Sequence, residues 1–312
     1  ARNNSGPSMD KIRPVPEWKE TVSEIAERED VRTVYVIGVP ASGKTSLSLY
    51  LYDTLLDGDT AAYLDCDCGQ STAAVPLTVS LRTSRFPFSV PKLLTGDGIT
   101  SKFIGSTSPV RHLLQSADGI VRLYHSALDS GSKKIIVDSS GFVTGSPAEE
   151  FQFNIIDMID PDMIIALLPE DGRENLDSIL SNFESASSRV RRLSVSSHAR
   201  ERSRAERGRY RKGRLAEYFA RSRDVDMDLE GLGRHGFVPS PREDDRALRG
   251  TAAGLLDGER FLLALGILRS WDEAKRRLTL RIPEGALSAV ARTDSLQFGL
   301  TKLDDSGTEK EE

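Results

Sequence analysis

Short apolar runs alternate with amphipathic stretches along the first two thirds of the chain. Five apolar runs predict buried strands: residues 33–37, 60–64, 102–105, 134–137 and 163–168. Apolar positions at helical spacing predict three helices: residues 10–30, 46–56 and 113–128. Strands that alternate with helices are typical of a mainly parallel sheet with helices on both faces. We therefore expect an α/β fold.

The last third of the chain has a different pattern. Between residues 189 and 223, twelve arginines and one lysine stand against three glutamates, and residues 202–219 predict a helix. After a polar stretch, apolar runs at residues 261–268 and 278–282 predict a small β-rich module.

These changes predict three parts. Residues 1–30 are expected to form an N-terminal leader and helix, and residues 31–224 an α/β domain. That domain includes an arginine-rich helical lid at about residues 189–223. Residues 225–312 are expected to form the C-terminal module, with an acidic disordered tail.

A phosphate-binding loop follows the first strand. Residues 38–45 match the pattern G-x-x-x-x-G-K-S/T, between a predicted strand and a predicted helix. The glycines let backbone N–H groups turn towards phosphate oxygens, and the helix N-terminus adds its positive dipole end. Lys44 is expected to reach the β- and γ-phosphates of ATP, and the Thr45 hydroxyl to ligate Mg²⁺. The predicted nucleotide-binding residues are Gly38, Pro40, Ala41, Ser42, Gly43, Lys44, Thr45 and Ser46.

Two carboxylates, Asp65 and Asp67, stand at the end of the second strand. The carboxyl ends of parallel strands gather beside such a loop, and two neighbouring carboxylates there need a cation. We assign both to the metal shell, and Asp67 also to activation of the acceptor hydroxyl. The alternative is that one of them caps the next turn. Cys66 and Cys68 lack two further zinc ligands at suitable spacing and are interpreted as packing residues.

A GTPase is an alternative for this loop. Residues 138–141 have the D-x-x-G form of a γ-phosphate sensor, and Asp138 follows a strand as a metal-side carboxylate often does. A GTPase should also carry an N/T-K-x-D motif near a later strand. The chain has none, which disfavours guanine recognition.

The arginine-rich stretch is interpreted as a lid over phosphates. Arg202, Arg207, Arg211 and Arg214 fall roughly on one side of the predicted helix. A solvated helix face is the alternative, but three acids cannot balance thirteen bases, and phosphates are the natural complement. We predict that Arg202, Arg207 and Arg211 stabilise the transferring phosphoryl group.

The composition limits the other classes of protein. With 42 basic and 47 acidic residues the formal charge is −5, so a nucleic-acid partner requires a local basic surface. No apolar run approaches 18 residues, so we expect no membrane span. Two cysteines, one residue apart, exclude a disulfide framework and favour the reducing cytoplasm.

Five motifs, in their order along the chain, resemble the polynucleotide 5′-hydroxyl kinases, a family that includes kinases of pre-mRNA cleavage and of ribosomal RNA processing. They are the phosphate loop, the D-x-D-x-G-Q segment at residues 65–70, a G-x-T-S/T-P-like segment at 103–109, a T-x-G-W-like segment at 139–142, and the lid at 202–219. The resemblance covers roughly residues 34–219, and the C-terminal module more weakly.

The resemblance implies Mg²⁺-dependent transfer of the ATP γ-phosphate to a 5′-OH end of RNA or DNA. It places Gln70, Thr107 and Ser108 near the acceptor, with Ser139, Gly141 and Phe142 as the segment that clasps it. Ser139 and Phe142 stand where the family has Thr and Trp. Ser keeps the hydroxyl group, and Phe keeps an aromatic ring but lacks the indole N–H. The short stretch before the phosphate loop implies a compact, prokaryotic-like member. A kinase of a small metabolite and a nucleotide-dependent regulatory switch remain the alternatives.

Overall fold

The computed structural model describes residues 12–56, 61–85, 90–168, 173–184, 189–196, 199, 202–237 and 248–309. The helices are α1 (Pro16–Glu27), α2 (Lys44–Leu55), α3 (Leu113–Asp129), α4 (Ser146–Ile159), α5 (Arg173–Leu180) and α6 (Arg204–Phe219). The first eight strands are β1 (Thr33–Gly38), β2 (Ala61–Asp65), β3 (Thr78–Arg82), β4 (Thr95–Gly96), β5 (Ile99–Phe103), β6 (Lys134–Asp138), β7 (Met163–Leu168) and β8 (Val190–Ser194). The others are β9 (Ser222–Asp228), β10 (Gly233–Gly236), β11 (Thr251–Leu256), β12 (Leu262–Asp272), β13 (Arg277–Pro283) and β14 (Ser295–Lys302). Two 3₁₀ helices span Pro109–Arg111 and Glu284–Arg292.

The first eight strands form one sheet in the order β4-β5-β3-β2-β6-β1-β7-β8. Strands β2, β6, β1, β7 and β8 are parallel, whereas β3, β4 and β5 form an antiparallel edge. The predicted α/β class with a mainly parallel sheet is confirmed. The carboxyl end of the central strand β1 lies between those of β6 and β7, and this is where a ligand site is expected in such a sheet.

Helices cover both faces of this sheet. Val34 and Val36 of β1 pack into a core with α1 and α2, and Tyr35 and Ile37 into a second core with α3, α4 and α5. The alternation follows from the period of two residues in a strand. β1 is buried on both faces, so the sequence shows it as a continuous apolar run.

A second sheet has the strand order β10-β14-β11-β12-β13-β9 and is antiparallel except for the β10–β14 pair. One of its faces packs on the antiparallel edge of the first sheet and on the end of α6, where Leu215, Tyr218 and Phe219 are buried. The C-terminal end of α6 is therefore fixed in a core shared by the two sheets.

The C-terminal third differs from its sequence-based description in one strand, in one domain boundary and in its tail. Residues 190–194, predicted as part of the helical lid, form the edge strand β8 because they pair with β7. The predicted boundary between residues 224 and 225 falls inside β9, which pairs with β13.

The tail was predicted to be disordered, but its described part is folded. Leu303 is buried and bridges Glu309, and the Asp304 carboxylate accepts N–H bonds from Ser306 and Thr308. In the described part of the chain, no helix is long and apolar enough to cross a membrane.

Candidate functional site

The phosphate loop connects β1 to α2 as the motif predicts. Ala41 and Gly43 have φ angles of 67° and 93°, which curl the loop so that α2 begins at Lys44. The Lys44 ammonium is nearly buried and donates a hydrogen bond of 2.9 Å to the carbonyl of Val39. The buried Ser42 hydroxyl has no hydrogen-bond partner among the described residues. The loop therefore presents N–H groups, a hydroxyl and one cation, a donor set suited to a phosphate chain.

Asp138 lies beside this loop, at the end of β6. Its carboxylate accepts hydrogen bonds from Tyr63 at 2.7 Å and Ser48 at 3.2 Å, and it is also bonded to the Thr45 side chain. Burial raises the pKa of Asp138, while the Tyr63 hydroxyl and the Lys44 cation oppose the rise. The sequence had suggested a metal-side carboxylate here, and the contact with Thr45 brings that carboxylate to the phosphate loop.

Lys44 faces more negative charge than it can balance. Burial lowers its pKa, and the charges of Asp138 and Asp67 oppose this shift. Two carboxylates that act on one ammonium leave an excess of negative charge that favours a further cation. Among the described residues, no group of three or more His, Cys, Asp or Glu side chains is arranged to hold a metal ion by itself.

The two aspartates predicted at the end of β2 have different environments. Asp65 is 1% exposed, and its carboxylate accepts bonds from the Asp67, Thr72 and Ala73 N–H groups and the Ser71 hydroxyl. These four bonds fold residues 65–73 into a compact loop. Asp65 therefore organises the loop, and both of its oxygens are engaged in that task.

The titration of Asp65 gives a testable pH dependence. Burial, together with the charge of Asp138, raises the pKa of Asp65 to about 7. Between about pH 4 and this value the folded protein binds the proton more tightly than the unfolded chain, so ionisation destabilises the fold. Compared with Asp65→Asn, the wild-type protein should lose thermal stability as pH rises to about 7, and the difference should then stay constant. Melting curves of both proteins across this range provide the measurement; a flat difference would mean that the four hydrogen bonds outweigh burial.

Asp67 has one carboxylate oxygen free for chemistry. Oδ1 caps the following turn by accepting N–H bonds of 2.9 Å from Gly69 and from Gln70. No described residue donates a hydrogen bond to Oδ2, and the side chain is only partly buried. The capping alternative and the chemical role are thus compatible for this residue, because each uses a different oxygen.

The acceptor-side segments meet next to this turn. A Cβ atom at Gly69 would overlap the carbonyl oxygen of Thr107, so the two loops are in direct backbone contact. The Gln70 amide donates to the Arg207 carbonyl at 3.3 Å, which ties the same turn to α6. Ser108 is exposed and accepts from the Val110 N–H group at the start of the 3₁₀ helix Pro109–Arg111.

Gly69→Ala should disrupt this contact. The added methyl group meets backbone rather than a movable side chain, so we expect a loss of about 1–3 kcal/mol in unfolding free energy and slower turnover. Gly208→Ala, within α6, is the matched control because its Cβ would meet open space. It should gain about 0.5–1 kcal/mol from helix propensity and keep its activity. Denaturant unfolding of both variants measures the difference; equal stabilities would contradict the close approach.

The segment at residues 139–142 approaches the phosphate loop at Gly141. A Cβ atom at Gly141 would come within 3.2 Å of the Pro40 ring, so glycine permits this approach. Ser139 is buried, and Phe142 is half-buried, with its ring 6.1 Å from that of Phe151. Gly141 thus contacts the phosphate loop, whereas Phe142 packs on Phe151 of α4.

Of the predicted lid arginines, Arg207 and Arg211 lie on α6, which passes over the loop of residues 65–73. Arg202 precedes the N-cap Ser203, so it lies outside the helix predicted to contain it, and its guanidinium is 5.5 Å from the Tyr210 ring centre. Arg207 donates to the Arg202 carbonyl at 2.8 Å. Arg211 forms an ion pair of 3.3 Å with Glu309 of the tail.

Two residues of α6 hold it in place: Tyr210, which the sequence analysis did not name, and Arg214, one of the lid arginines. The Tyr210 hydroxyl donates to the Ser71 carbonyl at 2.9 Å, and Arg214 donates to the Ala74 carbonyl. The negative charges of Asp65 and Asp67 contribute to the raised pKa of Tyr210, after burial as the main cause. Tyr210 thus lies close to both aspartates.

A cavity of about 310 Å³ adjoins the other end of the phosphate loop. Its lining residues are Ile12, Arg13, Trp18, Gly43, Ser46, Ser196 and Ala199. The Trp18 ring lies against Gly43, and its buried indole N–H has no hydrogen-bond partner among the described residues. Nothing local in the sequence could reveal this site, because it joins α1 to segments far along the chain.

Residues 38–221 match the family model described as mRNA cleavage and polyadenylation factor CLP1 P-loop. This match covers more than half of the 312 residues. The chain belongs to the CLP1 P-loop family. The resemblance stated from the five motifs is thereby confirmed, and membership implies the use of ATP.

Curated relatives of this CLP1-family chain bear kinase names. It is 29% identical to the polyribonucleotide 5′-hydroxyl-kinase MJ1315 of Methanocaldococcus jannaschii, with 95% of this chain and 94% of that protein aligned. It is 28% identical to a protein of the same name, PH0197, of Pyrococcus horikoshii, over 95% and 92% of the two chains. The polynucleotide 5′-hydroxyl-kinase GRC3 of Debaryomyces hansenii is 27% identical over 50% of this chain and 24% of its own length.

The same fold occurs in a solved structure. The Clp1p chain of a wild-type Clp1p–Pcf11p complex superposes with a TM-score of 0.69, covering 92% of this chain and 78% of that chain at 13% identity. The structural similarity therefore extends into the second sheet, beyond the segment that the family model matches.

Proposed function

We propose that this protein transfers the γ-phosphate of ATP to the 5′-hydroxyl end of a polynucleotide. One observation carries the proposal: Asp67 keeps one carboxylate oxygen free beside Lys44, in a turn that contacts both the acceptor-side segment at Thr107 and the lid helix. A carboxylate so placed can orient an acceptor hydroxyl and take its proton while Lys44 holds the phosphate. The relatives named above as 5′-hydroxyl-kinases support the choice of a polynucleotide as acceptor.

In this proposal the loop between β1 and α2 binds the phosphates of ATP. The N–H groups of residues 41–46 and the Ser42 hydroxyl would surround the phosphate chain, with Lys44 on its terminal groups. Lys44 would give up its bond to the Val39 carbonyl in exchange. That exchange costs little, because one hydrogen bond replaces another.

A divalent cation, which we propose to be Mg²⁺, fits the excess of carboxylates around Lys44. Thr45 and Asp138 would hold it, since the Thr45 hydroxyl already contacts that carboxylate. When bound, it supplies positive charge to the phosphate oxygens. Asp67 could contribute its free oxygen. Asp65 would act through the loop that it organises, because its own oxygens accept four hydrogen bonds.

The remaining predicted residues have supporting roles in this proposal. Arg202, Arg207 and Arg211 would neutralise charge on the transferring phosphoryl group, and the Arg211 ion pair with Glu309 would open to allow it. Gln70, Thr107 and Ser108 would border the acceptor, and Ser139, Gly141 and Phe142 would clasp it.

The nucleotide base would occupy the cavity beside Trp18. A single-tryptophan variant makes this testable, because the chain contains only Trp18 and Trp271. In Trp271→Phe, ATP addition should change the fluorescence of Trp18 in a saturable way, since a base against the indole alters its surroundings. Inorganic triphosphate should give a much smaller change. An equal response to both ligands would place the base elsewhere.

The activity is tested with γ-labelled ATP, Mg²⁺ and matched RNA and DNA oligonucleotides that end in either 5′-OH or 5′-phosphate. Label on the 5′-OH strands alone is the expected result, and the two polymers are ranked by their rates. A kinase of small metabolites would label none of them, and a regulatory switch would hydrolyse ATP regardless of acceptor. Either result would overturn the proposal.

A further inference from the structure

A groove of about 680 Å³ lies between the two sheets, outside the phosphate-loop site. The start of α3 and the 3₁₀ helix Pro109–Arg111 form one wall, and β10 with the β11–β12 turn forms the other. Its basic, polar and aromatic lining residues include Arg111, His112, His235, Phe237, Arg260 and Gln297. Neither the sequence motifs nor the proposed phosphoryl transfer accounts for it.

The groove is positively charged. Lys102, Arg111, Arg122 and Arg260 line it against a single carboxylate, Asp118. Asp118 is already paired with Arg122 at 2.9 Å and lies 3.8 Å from Lys102. Arg111 and Arg260 are exposed, and neither has an acidic partner in the described part of the chain. Two cations are thus available to a ligand that carries negative charge.

His235 responds to the same cations. Burial lowers the pKa of His235, and the positive charges of Arg260 and Lys102 lower it further. The charges of Arg260 and Lys102 therefore both reach the part of the groove at His235.

A buried ring nitrogen of His112 without a hydrogen-bond partner also indicates a ligand. The Gln115 amide donates to the Phe103 and Ile104 carbonyls, so its oxygen accepts the bond of 3.0 Å from Nδ1 of His112. Nε2 of the same ring is buried and has no partner among the described residues. In a neutral His112 that atom is an acceptor, and leaving it unpaired is costly. A hydroxyl or N–H group of a ligand would satisfy it.

An aromatic side chain covers this imidazole. The Phe237 ring stands edge-on to His112, with centroids 5.4 Å apart, yet it remains 48% exposed. Basic side chains next to an exposed aromatic ring are the combination by which proteins bind single-stranded nucleic acid. Bases stack on the ring, and phosphates contact the cations.

The groove begins where the acceptor segment ends. Thr107 contacts the turn that contains Asp67, and the 3₁₀ helix leads from Ser108 directly to Arg111. At a rise of about 2 Å per residue this step is roughly 6 Å long. A strand whose 5′ end lies at Asp67 can therefore continue into the groove.

The backbone at Arg260 is left-handed. Its φ angle of 64° lies in the region where glycine is the favoured residue. Arg276 has a φ angle of 50° at the equivalent place in the β12–β13 turn, so the conformation belongs to the hairpin turn. Glycine can therefore replace Arg260 without strain.

We propose that this groove binds the nucleotides that follow the 5′ end of a single-stranded acceptor, with phosphates on Arg111 and Arg260 and a base on Phe237. The inference rests on the proposed function for the direction of the strand, since the 5′ end is assigned to Asp67. Binding itself does not require turnover, so the two can fail separately.

The kinetic test compares a 5′-OH dinucleotide with a 5′-OH RNA of about 20 nucleotides. Phe237→Ala should raise KM for the long acceptor by about tenfold, the loss of one stacked base. The double variant Arg111→Ala, Arg260→Gly should also raise it and should reduce the slope of log KM against log salt by about 1.4, for two contacts. Dinucleotide KM and both kcat values should stay unchanged. Equal effects on the two acceptors, no effect on either, or an improved KM would overturn the proposal.

Measurements of RNA binding distinguish a failure of the groove proposal from a failure of the proposed kinase activity. Fluorescence anisotropy with a 5′-phosphorylated RNA of the same length should show at least about tenfold weaker binding for the double variant, whether or not the protein is a kinase. Arg277→Ala, an exposed position near the other edge of the second sheet, is the control and should bind normally. Arg260→Gly relieves the left-handed backbone, so its melting temperature should not fall. Unchanged RNA affinity in the folded double variant would exclude the groove.

Discussion

Lys44→Ala is expected to reduce the rate of phosphoryl transfer by a factor on the order of 10²–10³, the usual cost of losing one preorganised donor at a developing charge. Lys44 is nearly buried at the first residue of α2 and is the cation on which the charges of Asp138 and Asp67 act. Without it those carboxylates repel the phosphate chain. The loop and helix remain, since alanine favours helices and the lost bond to Val39 is a single contact.

Initial rates with saturating acceptor, together with a nucleotide titration, provide the measurement for Lys44→Ala. Lys44→Arg should also be strongly impaired, because the planar guanidinium does not fit a site built for an ammonium. Lys275→Ala, an exposed residue paired with Asp272, is the matched control and should be fully active. A normal rate of phosphoryl transfer in Lys44→Ala would show that Lys44 of the phosphate loop takes no part in the reaction.

Asp67→Asn should slow transfer by roughly 10²–10⁴-fold and leave ATP binding nearly intact. Asparagine retains Oδ1, which accepts the Gly69 and Gln70 N–H bonds, so the turn is preserved. The substitution removes the negative charge and the proton-accepting oxygen. It therefore isolates the chemical role of the side chain from its capping role.

Asp67→Ala completes the comparison, because it removes both the cap and the charge. It should be about 0.5–2 kcal/mol less stable than Asp67→Asn, the cost of the lost capping bonds, at similarly low activity. Single-turnover rates, ATP affinity and unfolding free energies should be determined for both variants. If Asp67→Asn turned over normally, Asp67 would have no role at the acceptor, and only its contribution to the turn would remain.

Much of the α/β fold could be predicted because its signals are local. A central strand such as β1 is buried on both faces, so it appears as an apolar run that ends on glycine, and the loop that follows is fixed by residue types. The antiparallel edge was harder to predict. Strand β3 contains Thr78, Ser80 and Arg82, all buried, and its polar groups find partners such as the Ala73 carbonyl only after folding.

The position of β8 at the edge of the sheet explains why its residues were predicted from the sequence to belong to the lid. Its arginines form ion pairs with helices on the two faces of the sheet, Arg191 with Glu24 of α1 and Arg192 with Asp177 of α5, and its only deeply buried apolar side chain is Leu193. Composition alone cannot distinguish such a strand from a basic helix. Hydrogen bonding to β7 decides the outcome.

The sequence by itself determined the phosphate loop, the order of the five motifs and hence the family, because each depends on residue types at fixed local spacing. The tertiary structure decided how the two aspartates divide their roles. Asp65 is saturated by N–H and O–H donors of its loop, whereas one oxygen of Asp67 remains open beside Lys44. The tertiary structure also forms the cavity at Trp18 and the groove at Phe237, since both join segments distant along the chain. Packing determines such contacts, and no local pattern encodes them.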